Sequence, residues 1–224
     1  MARLSSLALF PLSDVVLLPE VSVPLYIFEP RYRQMTRAAL EGSREIGMVA
    51  VRPEATSAMA GDPPIFDVGC LGRISHAQER PDGTFQILLI GERRFRIVAE
   101  DARPEDQLYR SAEVELLEDQ VPETHAEVEA MKDATNELLD LVERLVASIG
   151  SAGDPSRVMN ALQGLEPSRL VNSLSQSISF NPIERQQLLE ADSIARRCET
   201  LSDLLRFRLA AGGGADPGSG LLPN

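Results

Sequence analysis

The sequence has little of several residue types that carry chemistry: no tryptophan, two cysteines, two histidines and a single lysine. The lysine, Lys132, lies in the acidic stretch EVEAMKDATNE, with no glycine-rich turn beside it. A phosphate-binding loop of the GxxxxGK[ST] type needs both the turn and the lysine. A Ser–Lys peptidase needs a buried lysine that gives up its proton, whereas Lys132 is predicted to form a solvated ion pair. The sequence therefore excludes an ATPase motor and a peptidase of these types within this chain.

The cysteines and histidines are too few and too far apart for a metal or nucleophile site. Cys70 and Cys198 lack a second cysteine at metal-ligand spacing, and both lie in apolar patterns typical of buried, reduced thiols. Cys70 and His76 share one predicted strand, on which their separation is about 20 Å when extended. That distance exceeds hydrogen-bonding reach, and His125 begins a predicted helix. We therefore predict no catalytic residue, no metal site and no cofactor.

Long apolar runs and an excess of basic residues are also missing. No stretch approaches the roughly 20 apolar residues that a membrane-spanning helix requires. The opening residues, MARLSSLALFPL, have no small-residue cleavage site of the secretory type. The net charge is −12, whereas surfaces that bind nucleic acid or anionic lipid need clustered lysine and arginine. We expect a cytoplasmic protein without nucleic-acid or membrane partners.

The first half of the chain has the short apolar runs and turn residues of a β-rich domain. Pro11 and Pro19 each close an apolar run, and Pro30 fits the first turn of a helix. Arg80-Pro81-Asp82-Gly83 predicts a hairpin turn, and Gly91-Glu92 predicts a bulge or bend. The predicted strands cover residues 7–10, 15–18, 23–28, 46–52, 65–79, 84–90, 93–98 and 109–118, with a helix over 30–40 and a loop over 53–64. This set favours a small closed or half-open barrel, because an open sheet would leave edges exposed.

From about Pro122 the apolar period changes from that of strands to that of helices. One long helix is predicted from a continuous apolar seam at Val128, Met131, Thr135, Leu138, Val142, Leu145 and Ile149. Residues 150–153 are predicted to end it. Asp154-Pro155 and Asn181-Pro182 each have the pattern of a cap followed by proline at the first helical position. Further helices are predicted from about residues 155, 167 and 182, with a final one ending near 209, which makes the chain α+β.

The change from strand to helix at residues 26–32 is the best candidate for a surface site. Aromatic residues and arginine dominate the binding energy of many protein interfaces. The candidate binding residues are therefore Phe28, Glu29, Arg31 and Tyr32. The alternative is structural: Tyr26 or Tyr32 packs into the barrel, while Glu29 and Arg31 cap the helix.

Several segments, taken in order, resemble the substrate-binding (N-terminal) domain family of the Lon protease. They are LFPLSDVVLLPEVSVPLYIFEPRYRQM at 9–35, residues 46–51, VGCLGRI at 68–74, PDGTFQILLIGERRFRI at 81–97 and NPIERQQLLEADSIARRCETLSDLL at 181–205. The resemblance implies a PUA-like pseudo-barrel of about six short strands with one helix over residues 1–119. It further implies an α-helical bundle over 120–211, and we expect a disordered tail over 212–224.

The resemblance implies a non-enzymatic protein- or peptide-binding module that recognises exposed apolar or damaged segments of client proteins. A stand-alone bacterial member without the ATPase and protease domains would fit an adaptor in protein quality control. The family supplies no catalytic residue, and its best match to a binding surface here is Phe28, Glu29, Arg31 and Tyr32. Two alternatives stay open: a structural or oligomerising scaffold that uses the long helix, and RNA binding of the kind known for PUA-like folds.

Overall fold

The computed structural model describes residues 2–54, 61–149 and 155–211. The chain divides into two compact units, Met1–Glu118 and Asp119–Asn224. Strands and one helix build the first unit and helices build the second, so the chain is α+β. Some predicted features lie outside the described residues: the helix end at 150–153, the cap at Asp154, the tail at 212–224 and part of the loop at 53–64.

The first unit is one twisted sheet with a helix after its second strand. The strands are β1 (Arg3–Leu12), β2 (Ser22–Ile27), β3 (Glu45–Ala50), β4 (Val68–Glu79), β5 (Phe85–Glu100) and β6 (Arg110–Leu117), and the helix is α1 (Pro30–Glu41). Their order in the sheet is β2-β5-β4-β3-β1-β6, with β5 also paired to β6. Only β1 and β3 run parallel among these pairs.

The long strand β5 closes the sheet. Its first part pairs with β2, from Phe85 to Ile90, and its last part pairs with β6, from Arg94 to Glu100. Because β6 also pairs with β1, the strands β5, β4, β3, β1 and β6 form a closed ring. Among the described strands, β2 pairs with β5 alone. The strand pattern favoured a closed or half-open barrel. The pairing of β5 with β6 closes the sheet, and β2 is left at an edge.

Two strand predictions were wrong in detail. Residues 15–18 form no strand: they run as irregular backbone, although Val16, Leu17 and Leu18 are buried. An apolar run can be buried against a sheet without joining its hydrogen-bond ladder, and the pattern alone does not distinguish the two cases. The predicted strands at 84–90 and 93–98 are one strand, β5, with an extra residue at Glu92.

The predicted irregularity at Gly91-Glu92 is confirmed as a bulge. Gly72 pairs with Gly91 and Leu71 pairs with Arg93, so that Glu92 has no partner in the ladder. Gly91 is required there because a Cβ atom would lie within 2.9 Å of the carbonyl carbon of Leu18, and closer still to its oxygen. The buried run at 15–18 thus passes directly over the bulge.

Replacing Gly91 with alanine should destabilise the β unit by about 2 kcal/mol, because backbone atoms have to move to admit the methyl group. Urea unfolding followed by tyrosine fluorescence measures this effect, since all three tyrosines lie in residues 1–118. Gly42→Ala is the control, because its nearest new contact would be 3.4 Å. Equal midpoints for the two variants would contradict the close packing of Leu18 against Gly91.

The second unit consists of helices around one apolar core. They are α2 (His125–Ile149), α3 (Pro155–Leu162), α4 (Pro167–Ser177), α5 (Pro182–Glu190) and α6 (Ile194–Ala210). The predicted cap at Asn181 is confirmed: its side chain accepts from the Glu184 N–H at 2.9 Å, and the Glu184 carboxylate accepts from the Asn181 N–H at 2.8 Å.

Four residues of the apolar seam of α2 are covered within its own unit. Met131, Leu138, Val142 and Leu145 are buried in the core that α2 shares with α4 and α6, whereas Val128 is exposed. These four residues are therefore not available as a heptad seam for pairing with a second copy of the chain. Across the described part of the chain, no helix combines the length and apolar character needed to span a membrane.

Candidate functional site

The strand–helix corner, residues 26–32, exposes two aromatic side chains. β2 ends at Ile27, which is buried, and the residues on either side of it face outward. Tyr26 is 50% exposed and Phe28 is 59% exposed. Their rings stack with centroids 6.0 Å apart and an angle of 29° between the planes. The pair forms an apolar surface that water covers in the free protein.

Glu29 and Arg31 hold the turn from β2 into α1. Glu29 is the N-cap residue, and its carbonyl accepts the backbone N–H groups of Tyr32 at 3.1 Å and Arg33 at 2.9 Å. Its carboxylate pairs with the Arg31 guanidinium at 2.9 Å. Arg31 also donates to the carbonyl of Gly61 at 2.9 Å. These contacts fix the direction in which the chain leaves Phe28.

Tyr32 lies in the core beneath the corner. Its ring packs against Phe10 with centroids 4.5 Å apart, and its hydroxyl donates to the carbonyl of Pro11 at 3.3 Å. The Arg31 guanidinium carbon lies 4.5 Å from the centre of the Tyr32 ring. Burial raises the pKa of Tyr32 to about 12, so the hydroxyl stays protonated and donating at neutral pH.

The structure thus assigns different positions to the four predicted site residues. Phe28 is at the surface, Glu29 and Arg31 pair with each other, and Tyr32 is buried. The sequence-based candidate set did not include Tyr26, although half of this side chain is exposed beside Phe28. Strand alternation in SVPLYI could have indicated that Tyr26 is exposed, because an inward-facing Ile27 requires an outward-facing Tyr26.

The other reactive side chains are not brought together. Cys70 and Cys198 are both buried and reduced, and burial raises the pKa of Cys198 to about 11. Lys132 is exposed and pairs with Glu129 at 2.7 Å. Within the described ranges, no three His, Cys, Asp or Glu side chains are placed to hold a metal ion.

Comparison with known proteins identifies similar chains over nearly the whole length. The sequence profile of the ATP-dependent protease La (LON) substrate-binding domain matches residues 6–206. The Lon protease of Xanthomonas oryzae pv. oryzae is 30% identical over 206 residues, which cover 89% of this chain and 22% of that protein. The Lon protease of Dictyoglomus thermophilum is 26% identical over 203 residues, which cover 91% of this chain and 24% of that protein. The chain therefore spans about a quarter of the length of these relatives or less.

Solved structures share the fold. The N-terminal domain of the Mycobacterium avium complex Lon protease superposes with a TM-score of 0.65 at 20% identity, covering 90% of this chain and 98% of that one. A Lon N-terminal domain protein from Xanthomonas campestris superposes with a TM-score of 0.59 at 24% identity, covering 88% and 97%. Both similarities are similarities of fold.

Proposed function

Because this chain belongs to the ATP-dependent protease La (LON) substrate-binding domain family, we propose that it binds exposed apolar segments of unfolded or damaged proteins at the strand–helix corner. The exposed, stacked pair of Tyr26 and Phe28 carries this proposal. Large aromatic side chains lose little conformational entropy on binding and bury much surface. An apolar segment that covered both rings would release the water above them.

The remaining corner residues act by position in this proposal. The ion pair of Glu29 and Arg31 and the buried Tyr32 fix the backbone on which Phe28 stands. A binding surface that is already ordered costs less entropy when the partner arrives. Phe28 and Tyr26 therefore contact the client, whereas Glu29, Arg31 and Tyr32 support them.

A binding module of this kind has no enzymatic reaction of its own. We assign the closed sheet to a PUA-like pseudo-barrel over residues 1–119 and the helices to a bundle over 120–211. An adaptor in cytoplasmic protein quality control is the role that suits such a module. The scaffold alternative is weaker because α2 buries its seam within its own unit. RNA binding is weaker because the net charge is −12.

Replacing Tyr26 and Phe28 together with serine should weaken client binding by at least about tenfold, since each aromatic contact contributes on the order of 1 kcal/mol or more. The probe is a permanently unfolded polypeptide, reduced and carboxymethylated lactalbumin, with binding followed by fluorescence anisotropy. Both replaced side chains are exposed, so the fold should survive the change.

Phe207→Ser is the matched control, because Phe207 is 72% exposed and lies on α6 in the helical unit. We expect it to bind the probe as the wild type does. Equal losses in the two variants would mean that general surface hydrophobicity, rather than the corner, drives binding. A wild type that does not bind the probe would remove the proposed function.

A further inference from the structure

The open edge of β2 lies beside the exposed aromatic pair. β2 pairs with β5 from Ser22–Ile90 to Ile27–Phe85, and in the described part of the chain no strand pairs with its other side. The side chains of Val23 and Leu25 are only half-buried, as expected for a strand with one neighbour. An unpaired strand edge presents backbone donors and acceptors to any extended chain that approaches it.

The pattern of backbone hydrogen bonds shows which backbone groups of β2 point away from β5. The Gly91 N–H donates to the Val21 carbonyl at 2.8 Å, which directs the backbone of Val21 toward β5. Alternate residues of an antiparallel strand point their backbone groups to opposite sides. The residues whose backbone groups point away from β5 are therefore Ser22, Pro24 and Tyr26.

Pro24 disfavours self-association along this edge. Proline has no N–H, and it occupies an outward-facing position in the middle of the edge, which interrupts a continuous ladder. Tyr26 keeps both its N–H and its carbonyl, and it lies directly before the stacked rings. The end of β2 at the corner is thus the part best able to accept another strand.

Three arginines lie near the same end of β2, with the carboxylates of Glu79 and Asp82 in the same hairpin. The Arg80 guanidinium carbon lies 5.6 Å from the centre of the Tyr26 ring, and among the described residues Arg80 makes no ion pair. Arg33 packs on the turn at Gly83, and its Nε is buried without a hydrogen-bond partner. Arg37 pairs with Glu79 at 2.6 Å beside the same turn. Cationic groups therefore flank the aromatic pair on the side of the β4–β5 hairpin.

We propose that the client segment binds as an added strand on the open edge of β2, and that the site prefers segments in which an acidic residue adjoins an aromatic or large aliphatic one. This inference rests on the proposed function and names its binding mode and substrate class. Backbone hydrogen bonds to Tyr26 give an affinity that tolerates many sequences. The aromatic pair and Arg80 then select among them, because a carboxylate near the Arg80 guanidinium is attracted to it.

The probes are two fluorescein-labelled peptides of alternating Thr and Val, one with Phe-Asp and the other with Phe-Lys at its centre. Hydrogen exchange of the ¹⁵N-labelled full chain, followed by NMR, reports the binding mode. At saturation with the Phe-Asp peptide, exchange of the Tyr26 amide should slow by about tenfold or more. The Leu25 amide faces β5 and should change little. An unchanged Tyr26 amide at saturation would overturn strand addition while leaving side-chain binding of clients intact.

The preference for acidic peptides is tested separately, with a pair of matched variants. The Phe-Asp peptide should bind the wild type about threefold to fivefold more tightly than the Phe-Lys peptide at low salt, the size expected for an exposed charge pair. Arg80→Glu should reverse this order, and Arg96→Glu, at an exposed position elsewhere on β5, should preserve it. Equal affinities for the two peptides would overturn the acidic preference. Failure of both peptides and of unfolded lactalbumin to bind would overturn the proposed function itself.

Discussion

Replacing Arg197 with alanine should destabilise the helical unit by about 3–5 kcal/mol, the range for removing one partner of a buried charge pair. Arg197 is fully buried on α6. Its guanidinium donates to the Asp119 carboxylate at 3.0 and 3.2 Å, to the Asn172 side-chain oxygen at 2.8 Å, and to two carbonyls. Those carbonyls are Leu188 at 2.8 Å and Ala191 at 3.1 Å. Alanine would remove all five of these hydrogen bonds.

Urea unfolding followed by circular dichroism at 222 nm measures this change, because most helical residues lie in the second unit. The adjacent Arg196 provides the control: it is exposed and pairs with Glu199 at 2.9 Å on the same helix. Arg196→Ala should cost no more than about 0.5 kcal/mol. If Arg197→Ala cost as little, the buried cluster would not be what joins the start of this unit to α4, α5 and α6.

The sequence contained part of the information needed to find Arg197. It lies three residues after Ile194 and four before Leu201, which places it on the buried side of α6. A charged residue on a buried helix face requires partners, and those partners were not readable. The carbonyls of Leu188 and Ala191 become available only because α5 ends at Glu190 and the chain turns there. Tertiary geometry, rather than periodicity, supplies such acceptors.

The difference between local signals and tertiary geometry also explains which predictions for the β unit were confirmed and which were wrong. Turn residues act locally, so Arg80-Pro81-Asp82-Gly83 predicted the hairpin and Gly91 predicted the bulge. Residues 15–18 were misassigned because burial and strand pairing leave the same apolar pattern in a short run. Closure of the sheet depends on β6 pairing with both β5 and β1. The pairing with β1 joins residues about 100 positions apart in the chain, which spacing alone does not reveal.

At the corner, the sequence predicted a surface site but did not determine which side chains are exposed. Phe28 and Tyr32 are both aromatic and flank the same turn, yet one is exposed and the other is buried. Tyr32 is directed inward because it lies one turn before Thr36 and close to Met35, on the helix face that meets the sheet. The rotation of α1 relative to β1 determines that Tyr32 is buried. The sequence pattern of the strands does not indicate that rotation.

Replacing Phe95 with alanine should destabilise the β unit by about 3–5 kcal/mol, the range for deleting a buried phenylalanine ring. Phe95 is fully buried on β5 and belongs to the apolar core of the first unit. Its ring occupies the space that side chains at Gly47 and Gly69 would need, since Cβ atoms there would lie 2.9 and 2.6 Å from it. Glycines have no side chain that could move into the cavity, so we expect a value toward the upper end of the range. Tyrosine fluorescence during urea unfolding measures it, as for Gly91.

Phe28→Ala provides the matched control for Phe95→Ala, because the same atoms are deleted from a ring that is 59% exposed. The stability of the β unit should change by no more than about 0.5 kcal/mol, while client binding should weaken. Opposite effects of one substitution at two positions would separate the residue that stabilises the fold from the residue that contacts the client. A large loss of stability in Phe28→Ala would instead mean that Phe28 stabilises the corner, and its exposure would no longer support a binding role.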